Sequence, residues 1–171
     1  KRLEGEILAF TTDLQAVTLS SEQSANIGRC QSVVRDAIHS SKNLKDVQSD
    51  LEAIGNEPQD AVSAYGSRFR DTAAAFYEAL LTIKRSAEHS IGLEDFANLK
   101  ALNDRLHEEL HGAIYNDVRA DRISERQISA LLNVNRELFN SNRAIISALA
   151  GFLLEEAAME AVEALEPVRS S

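Results

Sequence analysis

The sequence predicts an all-α protein: an antiparallel up-and-down bundle of four long helices plus a shorter N-terminal helix. Three observations point there. Five segments repeat apolar residues in steps of three and four, as one buried helix face requires. No segment sustains the period-two alternation of a half-buried strand. The 171 residues include only two prolines and seven glycines, too few for a loop-rich β protein. Apolar residues make up 44% of the chain and aromatics 5%, with no Trp, so Leu, Ile, Val and Ala must fill most of the core. The length suits one domain over 1–171.

The first predicted helix covers about 2–18, with Leu3, Ile7, Phe10, Leu14 and Val17 on one face. Ser20 and Gln23 then form a capping box, Ser-x-x-Gln, that opens the second. That helix runs to about Ile54 and turns Ile27, Cys30, Val34, Ile38, Leu44, Val47, Leu51 and Ile54 inward. Gly55-Asn56-Glu57-Pro58 stops it and starts the next, since Gly suits a helix C-terminus and Pro a first turn. The third helix, 58–89, has the cleanest stripe: Val62, Tyr65, Phe69, Ala73, Phe76, Leu80, Ile83 and Ala87. A turn at Ser90–Leu93 leads to the fourth, 94–119, with Phe96, Leu99, Leu106, Leu110, Ala113 and Ile114 inside. Ser124 and Gln127 form a second capping box, and the fifth helix runs over 125–166 with a bend at Gly151. Connections this short make sequence neighbours antiparallel packing partners.

Charge and cysteine narrow the function classes. A net charge of −9 argues against a nucleic-acid binder, which needs clustered Lys and Arg to neutralise phosphate. Cys30 is the only cysteine, so no internal disulfide forms and a reducing compartment is favoured; its position reads as a small core residue. The longest uncharged apolar run, Ala144–Leu154, is too short to span a bilayer. The chain opens at Lys1 inside a helical pattern, so it reads as part of a longer protein.

The most informative stretch is Leu131–Leu149, LLNVNRELFNSNRAIISAL. Asn-x-Asn-Arg occurs twice, as Asn133/Asn135/Arg136 and Asn140/Asn142/Arg143, offset by about two helical turns. At about 100° per residue, Asn135 and Asn142 fall within the apolar face, while Arg136 and Arg143 fall on its flank. A buried amide is costly unless partnered. The pair either fixes helix register, as a core Asn does in coiled coils, or lines a polar seam that binds an ion or anion. Asn103 and Thr72, on the inner faces of neighbouring helices, are the candidate partners.

Other patterns carry less. His107-Glu108-Glu109-Leu110-His111 is a formal HExxH, but Ile114 and Asp117 stand where an extended metalloprotease motif needs Gly and His. Both histidines read as members of a solvated flank, and the chain as a non-enzyme. Asp46/Asp50 and Asp117/Asp121 each place two carboxylates one turn apart. The first pair could pair with Lys42 and Lys45 in solvent or hold a metal. Arg119, Arg122 and Arg126 cluster at a turn, offset by Asp117, Asp121 and Glu125.

Two segments resemble a known family. Ala37–Ile54, with Lys42-Asn43-Leu44-Lys45-Asp46, and Leu131–Leu149, with Leu131–Arg136, are similar to the PhoU-like cytoplasmic region of bacterial sodium/phosphate cotransporters. The resemblance implies a PhoU-like helical bundle on the cytoplasmic side of the inner membrane, regulating phosphate transport. The implied partner is the transmembrane domain of the same chain, with a homodimer as a further candidate and no nucleic acid. It also implies a metal motif at Asp46 and Asp50 for a divalent or iron-type ion, with Val47 and Ser49 where that motif has Arg and Gly. The residues themselves call for no cofactor. The alternative reading is a helical sensor or signalling input domain acting through dimer contacts.

Overall fold

The computed structural model describes residues 2–15, 18–56, 61–85, 91–154, 161, 162 and 164. Of these, 90% are helical and none is in a strand. Among the described residues six helices follow one another: α1 (Arg2–Gln15), α2 (Ser21–Asp46), α3 (Gln48–Asn56), α4 (Ser63–Arg85), α5 (Leu93–Arg119) and α6 (Glu125–Leu153).

Local chemistry sets most boundaries. The Ser20 hydroxyl accepts from the Gln23 amide at 3.2 Å, and the Gln23 side chain accepts from the Ser20 amide at 2.9 Å. These bonds satisfy two of the orphan donors that every helix start leaves. At α5 the Gly92 amide donates to the Asp95 carboxylate at 2.9 Å. At α6 the Gln127 side chain accepts from both the Ser124 amide and hydroxyl, at 2.8 and 2.9 Å. The α5–α6 turn passes through Asp121 at φ 54°, a left-handed conformation that Asp tolerates.

Four expectations need correction. The second helix is not continuous: Val47, at φ −102° and ψ 4°, separates α2 from α3. Val47 itself is fully buried, as its place in the predicted stripe requires. The fifth helix does not run unbroken to 166: Gly151 is buried within α6, which ends at Leu153. Leu154 turns extended and inward, and its carbonyl accepts from Arg29 at 3.4 Å. Cys30 is exposed rather than core. Arg29 and Ser40, eleven residues apart and so on one face, are the α2 residues that hydrogen-bond to the α6 strip, and Cys30 lies about 100° from that face. Phe10 is 64% exposed, and Thr11 is buried in its place. The inward row of α1 is therefore Ile7, Thr11 and Leu14: Ile7 and Leu14 keep their predicted places, and Thr11 replaces Phe10. Leu3, Val17 and Ala87 lie outside the residues whose side chains are described.

α6 is the centre of the fold, packing most extensively on α2 and next on α5. Contacts fix the directions. Arg29 meets Leu154, Ser40 meets Ser141 and Asp50 meets Asn133, so α2–α3 and α6 run oppositely. Asn103 meets Asn142 and the His107 carbonyl meets Asn135, so α5 and α6 do too. The apolar interior forms two clusters. One gathers Val47, Ile54, Tyr65, Phe69, Leu110, Ile114 and Leu131 with their neighbours. The other gathers Phe76, Phe96, Leu99, Ile146, Ala150, Leu154 and Val162. Along α6 the first ends at Leu138 and the second begins at Ile146, and Ser141 and Asn142 lie between them.

At the first cluster's rim the Tyr65 hydroxyl donates to the Asp117 carboxylate at 2.8 Å, and Arg122 pairs with the same carboxylate. The hydrogen bond from Tyr65 is the main reason the Asp117 carboxyl is held below its ordinary value, with Arg122 assisting. Burial first, and Asp117 second, push Tyr65 up to about 12 from 10.0. The signs are opposite. The Asp117 contribution is present above the ordinary carboxylate range and is lost as pH falls through its lowered value. The Tyr65 contribution is present below pH 10.0 and is lost as pH rises toward about 12. Tyr65→Phe should therefore move the Asp117 carboxyl NMR titration up toward the ordinary value. An unmoved titration would mean that Tyr65 does not set it.

Candidate functional site

The repeated Asn-x-Asn-Arg splits into two sets by helical angle. Asn135 and Asn142 point inward at 2% and 4% exposure, and Asn103 on α5 is equally buried at 2%. The Asn142 amide donates to the Asn103 carbonyl oxygen at 2.9 Å. The Asn103 amide donates to the Phe139 backbone carbonyl at 3.2 Å, and Asn135 donates to the His107 carbonyl at 3.1 Å. Three side-chain hydrogen bonds thus cross the α5–α6 interface, two of them ending on helix carbonyls whose second lone pair is available. On the opposite side of α6, Ser141 donates to the Ser40 carbonyl at 3.0 Å, and the two hydroxyls lie 2.9 Å apart. Asn103, Asn142, Ser40 and Ser141 make a polar layer between the two apolar clusters, while Asn135 lies beside Val134 and within the first. Asn103 is the expected partner; Thr72 is not, and it lines a shallow groove with Arg68 and Glu109 instead.

The second set faces outward. Asn133 donates to Asp50 at 2.8 Å, and Arg136 donates to Asn133 at 2.6 Å and to Glu137 at 2.9 Å. Arg143 is exposed, its guanidinium 5.7 Å from the centre of the Phe139 ring. The flank position expected for both arginines holds, and both have neighbours there.

Asp46 and Asp50 sit on either side of the Val47 break, Asp46 in the last turn of α2 and Asp50 in the first turn of α3. Asp50 is engaged by an amide from α6 rather than by Lys42 or Lys45. Among the described residues no group of three His, Cys, Asp or Glu side chains is arranged to hold a metal ion.

His107 and His111 are not on a wet flank. Both are half-buried, because α6 covers α5 beyond the apolar row. The His107 ring stacks on Phe139 with centroids 4.5 Å apart, and its Nδ1 is buried without a hydrogen-bond partner. His111 packs between His107 and Tyr115, at 5.9 and 4.7 Å.

The Tyr65–Asp117 and Ser40–Ser141 bonds had no sequence signal. Each joins residues more than fifty positions apart, and Ser and Tyr are ordinary on helix faces. The Asp50–Asn133 bond could have been anticipated only by pairing the two segments of the family resemblance. Comparison with protein-family models, curated proteins and solved structures finds no match to this chain. Among the described residues no helix is long and apolar enough to cross a membrane.

Proposed function

We propose that this chain is a non-catalytic, PhoU-like regulatory domain of a bacterial sodium-dependent phosphate transporter, held at the cytoplasmic face of the inner membrane by a transmembrane domain of the same protein. The observation that carries the reading is the meeting of the two segments on which the resemblance rests. The Lys42–Asp46 run leads into the α2–α3 break, and the Leu131–Arg136 run lies across from it, tied by Asn133 to Asp50. The all-helical character fits the same reading. In this proposal α2–α3, α4, α5 and α6 form an antiparallel up-and-down bundle, with α1 packed against α2 on the outside. A metal at Asp46 and Asp50 would need ligands from another chain or domain, since two carboxylates flanking a helix break do not complete a coordination shell.

The test uses the full-length gene product. Sodium-driven phosphate uptake should persist when Asp50→Ala and Asn133→Ala are introduced together, but its dependence on phosphate supply should change. Uptake identical to the parent in rate and regulation, or a full-length protein without membrane-spanning helices, would overturn the proposal. The alternative, a helical signalling module acting through dimer contacts, is favoured by a different observation. Phe10, Phe152 and Leu153 are 64%, 72% and 43% exposed, and large apolar side chains in water suit a contact surface. A stable dimer lost on Phe152→Ser would favour it.

A further inference from the structure

Beside the Asn layer, α3, α5 and α6 border an open surface groove of about 770 Å³. Its α6 wall carries Arg126, Ser129, Asn133 and Arg136. Steps of three, four and three place these four within an arc of about 80°. His107 and His111 line the α5 wall and Asp50 the α3 wall.

Donors and acceptors in this groove do not balance. The Asp50 carboxylate already accepts from Asn133, and the Asn133 oxygen already accepts from Arg136. Arg136 spends two of its five N–H groups on Asn133 and Glu137, and its side chain is 64% exposed. Arg126 adds a second exposed guanidinium. Asp50 and Asn133 keep some acceptor capacity, but the two guanidiniums carry more N–H donors than these bonds use, so donors are in surplus. A ligand that fits must therefore bring acceptors, several of them and negatively charged. A cation is disfavoured by the two arginines. Guanidinium forks match the paired oxygens of a tetrahedral oxyanion, and the two imidazoles add further polar groups.

We infer that this groove is an oxyanion site for a phosphate group, free or carried on a nucleotide, held chiefly by Arg126 and Arg136. The inference rests on the surplus of donors and not on the transporter reading, and its failure would leave that reading standing.

The chain is titrated with inorganic phosphate and, separately, with AMP, against sodium chloride at matched ionic strength. Melting temperature and the ring NMR signals of His107 and His111 are followed together. Phosphate, AMP or both should give a saturable rise in melting temperature and saturable ring shifts. Tighter binding of AMP identifies a nucleotide as the carrier, and equal or weaker binding identifies free phosphate; both support the site. Arg126→Gln/Arg136→Gln should weaken binding by about tenfold or more, because both substitutions remove charged fork donors. Both positions are exposed, so the variant should fold. Arg105→Gln removes an equally exposed arginine that lines a different groove, and it should leave binding unchanged. No saturable response to either anion, or an equal loss with Arg105→Gln, would overturn the inference. So would binding unaffected by the double substitution.

Discussion

Replacing Phe76 with alanine should destabilise the protein by about 3–5 kcal/mol, the range for truncating a fully buried aromatic. Phe76 is 0% exposed and belongs to the cluster that joins α4, α5 and α6 through Phe96, Leu99 and Ile146. Its ring also meets Tyr77 edge-on at 5.4 Å. Truncation removes the transfer free energy of the ring and leaves a cavity that helices pinned elsewhere cannot close. For a chain of this size the melting temperature should fall by roughly 6–20 °C. Phe10→Ala is the matched control: the same atoms are removed from a side chain that is 64% exposed, and the melt should barely move. A larger loss at Phe10 than at Phe76 would mean that the two facings are misassigned.

The second large effect is expected at Asn103. Asn103→Ala removes the acceptor of the Asn142 amide and the donor to the Phe139 carbonyl. Asn142, 4% exposed, then carries an unpaired amide in the interior. Leaving one buried polar group unsatisfied costs roughly 1–3 kcal/mol, and the lost packing adds to it. Urea unfolding should show a lower midpoint with an unchanged slope. An unchanged midpoint would mean that water replaces the lost partner, and that the layer is not sealed.

How much of this was legible in the sequence depends on what each residue needed to reveal it. The stripe of α4 was legible because Val62, Tyr65, Phe69 and Phe76 are large, apolar and evenly spaced, and all four are buried. The inward amides were legible for the converse reason: Asn135 and Asn142 are the wrong chemistry at the right angle. The capping boxes at Ser20 and Ser124 were legible because they are local. The failures share a different cause. Cys30 and Phe10 sit on helices that bury only one narrow side, so they fall outside it although Ile7, Leu14, Ile27 and Val34 of the same stripes are half-buried. The Val47 break has no Gly or Pro to announce it. His107 was misplaced because its cover comes from Phe139 on another helix. For the groove, the sequence supplied Arg136, Asn133 and Asp50, but not that the bonds among them use only two of the Arg136 N–H donors.

The central claim is that the Asn103–Asn142 pair forms a structural layer between the two apolar clusters and sets the register of α5 against α6. The most direct test is a double-mutant cycle on the Asn103–Asn142 pair with leucine at both positions. Each single substitution strands a polar partner and should destabilise. The double substitution strands neither end of that bond, so it should be more stable than the sum of the singles by about 1–2 kcal/mol. With register no longer enforced, it should also show broadened amide NMR signals along α5 and α6. Stabilities that add to within about 0.5 kcal/mol, with sharp signals throughout, would contradict the claim.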